Sequence, residues 1–221
     1  METSLARTTT RVSAALATIA VLGLVAVAPT HAQSTDDAPG WTFDGRGGIS
    51  VPAGDLADLP IEVGPSFGAG VGYYVTPRVA IRGDGSVELF SGDDLAGGGT
   101  GPDITLWHYN AGVEVELTQP GAGPWDVTAN VAGGATTWDT DRFTSGTGTS
   151  DDLETYFTAN GGLKAGYDVT PSVNVFVGGQ WYLQFTDEED TRALASLTPD
   201  LSEGFDTAST VPLYAGIEFK L

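Results

Sequence analysis

Hydrophobic and polar residues alternate along most of the chain after residue 40. The clearest alternation covers residues 172–185, where Val173, Val175 and Val177 share one face and Asn174 lies on the other. A period of two indicates a β-strand that separates two unlike environments. The same pattern predicts eight strands, at 41–51, 63–75, 78–90, 104–117, 125–138, 155–169, 172–185 and 209–221. Only a weak helical turn is expected, at 191–197, because the other segments lack the apolar spacing of an amphipathic helix.

The connections between these strands alternate in length. Proline turns at 75–78 and 169–172, and a glycine- and proline-rich turn at 118–124, are short. The other four links are long, at 52–62, 91–103, 139–154 and 186–208. Tight turns at one end and long loops at the other are typical of bacterial transmembrane β-barrels.

The more apolar face of every predicted strand carries no Asp, Glu, Lys or Arg. The opposite face carries 13 charged residues: Asp44, Arg46, Arg78, Arg82, Asp84, Glu88, Glu114, Glu116, Asp126, Lys164, Asp168, Glu218 and Lys220. A soluble barrel would need the reverse arrangement, with apolar side chains inside and charges in water. The pattern therefore predicts an all-β protein, an eight-stranded antiparallel up-and-down transmembrane β-barrel over residues 41–221.

Aromatic residues on the apolar face fall at two heights. When the short turns are placed on the inner side, the inner group is Trp41, Phe43, Tyr73, Trp125, Tyr167 and Phe219. The outer group is Trp107, Tyr109, Phe157, Trp181 and Phe185. Amphipathic rings concentrate at the two headgroup levels of a bilayer, so this distribution favours a spanning barrel.

The chain is strongly acidic, with 29 Asp and Glu against 9 Lys and Arg. Its net charge of −20 argues against a nucleic-acid partner, because phosphate binding needs clustered basic residues. The lack of cysteine excludes disulfides, thiolate metal sites and thiol nucleophiles. We therefore expect no cofactor and no resident metal.

Most of the acidic excess lies in the four long links, which hold 18 acids and two bases, Arg142 and Arg192. Because carboxylates bind divalent cations, these acidic loops are candidates for divalent-cation or extracellular contacts. The alternative is a solvated acidic surface suited to solubility or high salt. The segment Asp139-Thr-Asp141 begins like a calcium-binding loop, but Phe143 and the following threonine stand where a ligand and a glycine are needed.

Residues 1–32 are predicted to be a secretory signal peptide. Arg7 and Arg11 precede an apolar run over 14–28, and small residues lead to a cleavage site after Ala32. The alternative is a retained helical anchor, but the run is shorter than the about 20 apolar residues that a spanning helix needs. Residues 33–40 then form a short acidic leader.

The chain ends in a glycine followed by alternating hydrophobic residues, with Tyr214, Gly216, Phe219 and Leu221 as the key positions. Together with the signal peptide, the eight strands and the turn sequence GYYVTP, this ending resembles the small OmpA/OmpX/OmpW-like outer-membrane β-barrel superfamily. The resemblance implies secretion through the inner membrane and the outer membrane of a diderm bacterium as location. It implies outer-membrane lipid and the barrel assembly machinery as partners, with Tyr214, Gly216, Phe219 and Leu221 as the assembly signal. Leu221 departs from the more common terminal aromatic residue.

The inward charges are the candidate functional residues. An eight-stranded barrel is just wide enough to be filled by its own side chains, so a wide pore is disfavoured. Since buried charges must be paired or hydrated, we expect a polar network in the lumen. Its predicted members are Asp44, Arg46, Arg82, Asp84, Glu114 and Lys164.

The expected function is that of an integral outer-membrane protein, a monomer with a structural or surface-interaction role. A narrow channel for small solutes through the polar lumen is the alternative. A lipid-modifying barrel enzyme is a third reading. It would depend on His108, the single histidine after the signal peptide, near Ser86 or Glu88. No catalytic residues are predicted.

Overall fold

The computed structural model describes residues 40–93, 101–118, 123–140, 154–195 and 204–221. Its strands are β1 Trp41–Ala53, β2 Gly64–Thr76, β3 Val79–Phe90, β4 Ile104–Glu116, β5 Trp125–Thr140, β6 Glu154–Thr170, β7 Val173–Phe185 and β8 Thr207–Lys220. Every predicted strand is present, with ends within two residues of those expected from the alternation. The predicted signal peptide, and the leader before Gly40, lie outside the described residues.

The strands form one closed barrel. Each strand pairs antiparallel with the next, and β8 closes the ring on β1, where Thr42 lies opposite Lys220 and Val51 opposite Val211. A closed barrel leaves no free sheet edge in a bilayer. The predicted eight-stranded antiparallel up-and-down barrel is confirmed. Among the described residues, no helix is both long and apolar enough to cross a membrane.

The outer surface of the barrel is apolar. Odd-numbered side chains of the strands point outward, and Trp125 and Val131 are exposed by 67% and 66%. The charged residues of the strands lie on the even-numbered, inner side, as the alternation predicts. Asp139 is the exception, because β5 continues past its predicted end at residue 138 toward the loops.

The loop end of the barrel holds a hydrophobic core that the alternation did not predict. Its members, named the cap here, are Leu56, Leu59, Phe90, Ile104, Leu106, Trp138, Phe205 and Ala208. A 3-10 helix at Gly54–Asp58 brings Leu56 into this core from the first long link. Gly54 begins that helix with φ of 58°, a conformation that favours glycine. The barrel interior is therefore polar along most of its length and apolar at one end.

The single α-helix among the described residues, α1 Glu188–Ala195, begins three residues before the helical turn expected at 191–197. The Asp187 side chain accepts a hydrogen bond of 3.0 Å from the backbone N–H of Glu189. This contact satisfies a donor that the helix itself leaves unpaired, and it explains the earlier start. The end of the expected turn, at 196–197, lies outside the described residues.

Candidate functional site

Arg82 is at the centre of a group of ion pairs inside the barrel. Its Nε is 3.0 Å and 3.1 Å from the two carboxylate oxygens of Asp84, and its Nη2 donates to Asp44. Gly70 on β2 lies between these carboxylates in the register. A Cβ at Gly70 would approach within 2.6 Å of both Asp44 and Asp84, so the absence of a side chain makes room for the group.

Lys164 forms a second group of ion pairs on the opposite strands. Its Nζ is 2.8 Å from Glu218 and 3.2 Å from Glu114. Arg82 links the two groups, because its Nη1 lies 3.6 Å from Glu114 and 3.9 Å from Glu218. Five strands, β1, β3, β4, β6 and β8, thus share one set of alternating charges.

Arg46 completes this set. Its Nη1 is 2.8 Å from Asp84 and 3.6 Å from Asp44, and its guanidinium carbon lies 5.2 Å from the centre of the Tyr214 ring. The structure therefore brings all six predicted lumen residues together and adds Glu218. The lumen network is Asp44, Arg46, Arg82, Asp84, Glu114, Lys164 and Glu218.

Glu218 was on the predicted inner face but was not among the predicted network residues. It lies opposite Asp44 in the pairing of β8 with β1, which closes the barrel. Two carboxylates side by side repel each other unless cations lie between them. Arg82 and Lys164 supply those cations, and it is the closing register of the barrel, which the sequence does not fix, that brings Glu218 to them.

A second polar group lies nearer the loops and runs across five strands. Ser50 donates to Glu88 at 2.8 Å, and Glu88 Oε1 is 3.3 Å from Nε2 of His108. His108 Nδ1 lies 2.7 Å from Thr136 Oγ1, which lies 2.5 Å from Thr158 Oγ1. We name Ser50, Glu88, His108, Thr136 and Thr158 the histidine belt. Each of these side chains is fully buried.

The two neighbours considered for His108 from the sequence have different positions. Glu88 contacts the imidazole, whereas the hydroxyl of Ser86 is 3.4 Å from that of Tyr182. Tyr182 stacks on the imidazole with 4.2 Å between ring centres. Side chains thus surround His108. Its contacts differ from the hydrolase arrangement, in which a serine contacts the histidine.

Asparagines lie between the lumen network and the histidine belt. Asn110 pairs with Asp84 in the register and is two residues from His108 on the inner face of β4. Both side-chain polar atoms of Asn110 and the Nδ2 of Asn160 are buried without a hydrogen-bond partner in the described residues. Buried amides of this kind are the usual partners of internal water.

The predicted assembly-signal residues divide between the two sides of β8. Tyr214 points into the lumen, where its ring centre lies 6.1 Å from that of Phe176. Phe219 points outward, half exposed, opposite Phe43 on β1 and Val173 on β7. Gly216 allows close approach, since a Cβ there would overlap the Phe176 ring. Leu221 directly follows β8.

The acidic loops are described in part. Exposed carboxylates of the described residues include Asp58, Glu62, Asp103, Asp139, Asp187, Glu188, Glu189, Asp190 and Asp206. Within the described ranges no group of three or more His, Asp or Glu side chains has the geometry of a metal site. Arg142 and Asp141, which belong to the segment that begins like a calcium loop, lie outside those ranges.

Comparison with known proteins gives a structural match and no match in sequence families. No protein-family model matches the chain, and neither does any curated protein sequence. Neisserial surface protein A superimposes with a TM-score of 0.57 at 14% identity, covering 82% of this chain and 97% of that one. The chain has the fold of a small outer-membrane β-barrel.

Two further solved structures align with lower scores. OprG of Pseudomonas aeruginosa gives a TM-score of 0.47 at 12% identity, over 83% of this chain and 97% of that one. Ail of Yersinia pestis, the attachment invasion locus protein, gives 0.46 at 9% identity, over 84% and 99%. Their sequence identities are too low to transfer a role to this chain.

Proposed function

We propose that this chain is an integral outer-membrane protein whose closed barrel anchors an acidic loop surface outside a diderm cell. In this proposal the role is structural or one of surface interaction, and the chain reaches the membrane by secretion through the inner membrane. The apolar outer face of the barrel and its likeness to outer-membrane barrels support this location.

The observation that carries the proposal is the way in which the lumen is filled. The lumen network places seven charged side chains across the interior, none more than 8% exposed. Above it, Leu56 and Ile104 of the cap are fully buried. An apolar constriction opposes the passage of hydrated ions, so cap and network together favour a barrel that does not conduct.

The proposal is tested by recording conductance of the purified, refolded chain in planar lipid bilayers. We expect no conductance above that of protein-free bilayers, and the same result for Arg82→Ala, because the cap remains intact. Because the lumen network remains, a folded Leu106→Ala variant is also expected not to conduct, whereas Arg82→Ala/Leu106→Ala, which weakens both barriers, is expected to give small, flickering currents. Steady single-channel current steps in the wild type would refute the proposal that the barrel does not conduct.

A narrow channel for small solutes is the second candidate. It is favoured by buried amide atoms of Asn110 and Asn160, which have no hydrogen-bond partner among the described residues and would bind water between the lumen network and the histidine belt. Liposome swelling with solutes of increasing size distinguishes the two functions. Swelling with the smallest solute and none with larger ones would support the channel, whereas no swelling supports the anchor.

The interaction role rests on the exposed loop carboxylates. Glu188, Glu189 and Asp190 occupy the first turn of α1 and are exposed, so a cationic partner or divalent cations would meet them first. We propose that the loops make contacts of this kind outside the cell. We also propose that the chain contacts the barrel assembly machinery during folding. Calcium titration by calorimetry in low and high NaCl tests the first: heat that disappears in high salt indicates charge-driven binding.

We further propose that the protein is a monomer without enzymatic activity. The belt residue His108 is fully buried, which keeps a substrate from the imidazole that a hydrolase would need. Light scattering of the detergent-solubilised protein should give the mass of one chain. Hydrolysis of phospholipid by the wild type, lost in His108→Gln, would contradict the non-enzymatic proposal.

A further inference from the structure

The contact between Glu88 and His108 requires a proton. Glu88 Oε1 and His108 Nε2 face each other at 3.3 Å, and both atoms are buried without a hydrogen-bond partner among the described residues. A carboxylate oxygen and an unprotonated imidazole nitrogen are both acceptors and would repel each other. A favourable contact between them therefore needs a hydrogen atom, on the ring or on the carboxyl group.

The other ring nitrogen has two possible roles. His108 Nδ1 is 2.7 Å from Thr136 Oγ1, which is 2.5 Å from Thr158 Oγ1. When the ring is neutral with its hydrogen on Nε2, Thr136 donates to Nδ1 and Thr158 can donate to Thr136. When the ring takes up a second proton, Nδ1 donates to Thr136, so the Thr136 hydroxyl must turn toward Thr158. One proton taken from solvent reverses the direction of the whole chain.

We propose that Glu88 and His108 form an internal proton-binding site whose occupancy is transmitted through Thr136 and Thr158 to the cap. The site takes a single exchangeable proton from the aqueous phase, and that proton converts a carboxylate facing a neutral imidazole, with a net charge of −1, into a buried imidazolium–carboxylate pair with no net charge. The inference stands independently of the proposed anchoring function, because it concerns the interior alone.

The hydroxyl chain ends next to the cap. Thr158 lies opposite Gln184 in the pairing of β6 with β7. Gln184 Oε1 accepts a hydrogen bond of 2.6 Å from the indole Nε1 of Trp138, a cap residue. Glu88 also lies opposite Leu106, another cap residue, in the pairing of β3 with β4. The belt thus comes next to the cap at two of its members, Thr158 and Glu88.

The surroundings of the imidazole contain few other charges. Glu88 on β3 is the charged group in contact with it, while β5 and β6 contribute the neutral threonines of the belt. Tyr182 on β7 covers the ring face. Arg46 on β1 lies in the same register row as His108, three strands away, and is paired with Asp84. Among the described residues, Glu88 is therefore the charged side chain that contacts the imidazole.

The test is NMR of the full chain in detergent micelles with isotope-labelled histidine and tryptophan. Ring signals are assigned with His108→Gln and the indole signal with Trp138→Phe. At the pH where the wild-type ring is half protonated, Glu88→Gln should lower the ratio of imidazolium to imidazole about tenfold or more. Glu62→Gln removes the same charge at an exposed loop position and should leave the ratio unchanged.

The transmission step has its own readout. In the wild type, the indole N–H signal of Trp138 should move with the same midpoint as the His108 ring, and this movement should vanish in His108→Gln. The proposal would be overturned if the ratio of imidazolium to imidazole at His108 were equal in the wild type and in Glu88→Gln. It would also be overturned if the His108 ring signals did not change between pH 4 and 9. If Glu88→Gln does not fold, a Trp138 signal that stays fixed while the wild-type ring titrates overturns it equally.

Discussion

Replacement of Arg82 by methionine removes the cation that connects the two halves of the lumen network. Arg82 is bonded to Asp84 and Asp44 and lies within 4 Å of Glu114 and Glu218, so all four carboxylates of the network lose a partner. Methionine retains much of the apolar stem, which limits the loss of packing. The substitution therefore isolates the loss of charge.

The expected loss of unfolding free energy in Arg82→Met follows from the charges that remain in the network. The network has four carboxylates and three cations, one surplus negative charge, and Arg82→Met raises the surplus to two. Arg46 still pairs with Asp84, and Lys164 still pairs with Glu114 and Glu218, while Asp44 keeps only the longer contact of 3.6 Å to Arg46. Removing one partner of a buried ion pair costs about 3–5 kcal/mol, and we expect a loss in this range.

The assay is urea unfolding of the refolded protein in lipid vesicles, followed by tryptophan fluorescence and by the shift in gel migration on heating. Arg78→Met is the matched control, because Arg78 is exposed in the turn between β2 and β3. This control should change the free energy of unfolding by less than about 0.5 kcal/mol. The double variant Arg82→Met/Asp84→Asn restores the original surplus of charge and should recover part of the loss.

Two results would refute this reasoning. A cost below about 1 kcal/mol for Arg82→Met would mean that water replaces the guanidinium and that the network is not a buried one. A double variant as unstable as the sum of the two single variants would show no coupling between Arg82 and Asp84. For residues in contact, coupling of about 0.5–3 kcal/mol is expected.

Three further substitutions test other parts of the barrel. Gly48→Ala should prevent stable folding because a Cβ there would overlap the Leu213 carbonyl, whereas Gly45→Ala, with open space around it, should be silent by gel migration. On the lipid face, Val131→Arg should cost roughly 2–4 kcal/mol of unfolding free energy in vesicles but little in short-chain detergent, and equal costs in both would contradict a lipid-facing position. In the cap, Trp138→Ala should cost about 3–5 kcal/mol by urea unfolding, and a loss below 1 kcal/mol would show that the cap is not a packed core.

The strands could be predicted because each one separates lipid from a polar lumen. At Val131 and Asn130, neighbouring residues face opposite environments, and the difference is large enough to be read from a single sequence. The same alternation places Asp44, Arg82 and Lys164 inside, so their presence in the lumen is predictable. Their partners depend on register, since a shift by one residue would exchange the two faces.

The contacts of the cap and of the histidine belt could not be predicted from the sequence. Leu56 and Phe205 come from long links, whose conformation has no periodic pattern, so their burial could not be predicted. The contact between Glu88 and His108 depends on the pairing of β3 with β4 across a long link, which does not fix the register as a tight turn would. The sequence alone therefore leaves open whether these two side chains lie next to each other.

The amino-acid sequence by itself determines the number of strands, their inner and outer faces, and the concentration of acidic residues in the loops, because each is a local or periodic property of the chain. The tertiary structure alone decides which charges meet, that Glu218 joins Asp44 where the barrel closes, and that the loop end is apolar. These features depend on contacts between residues far apart in sequence, and only the closed ring of eight registers brings such residues together.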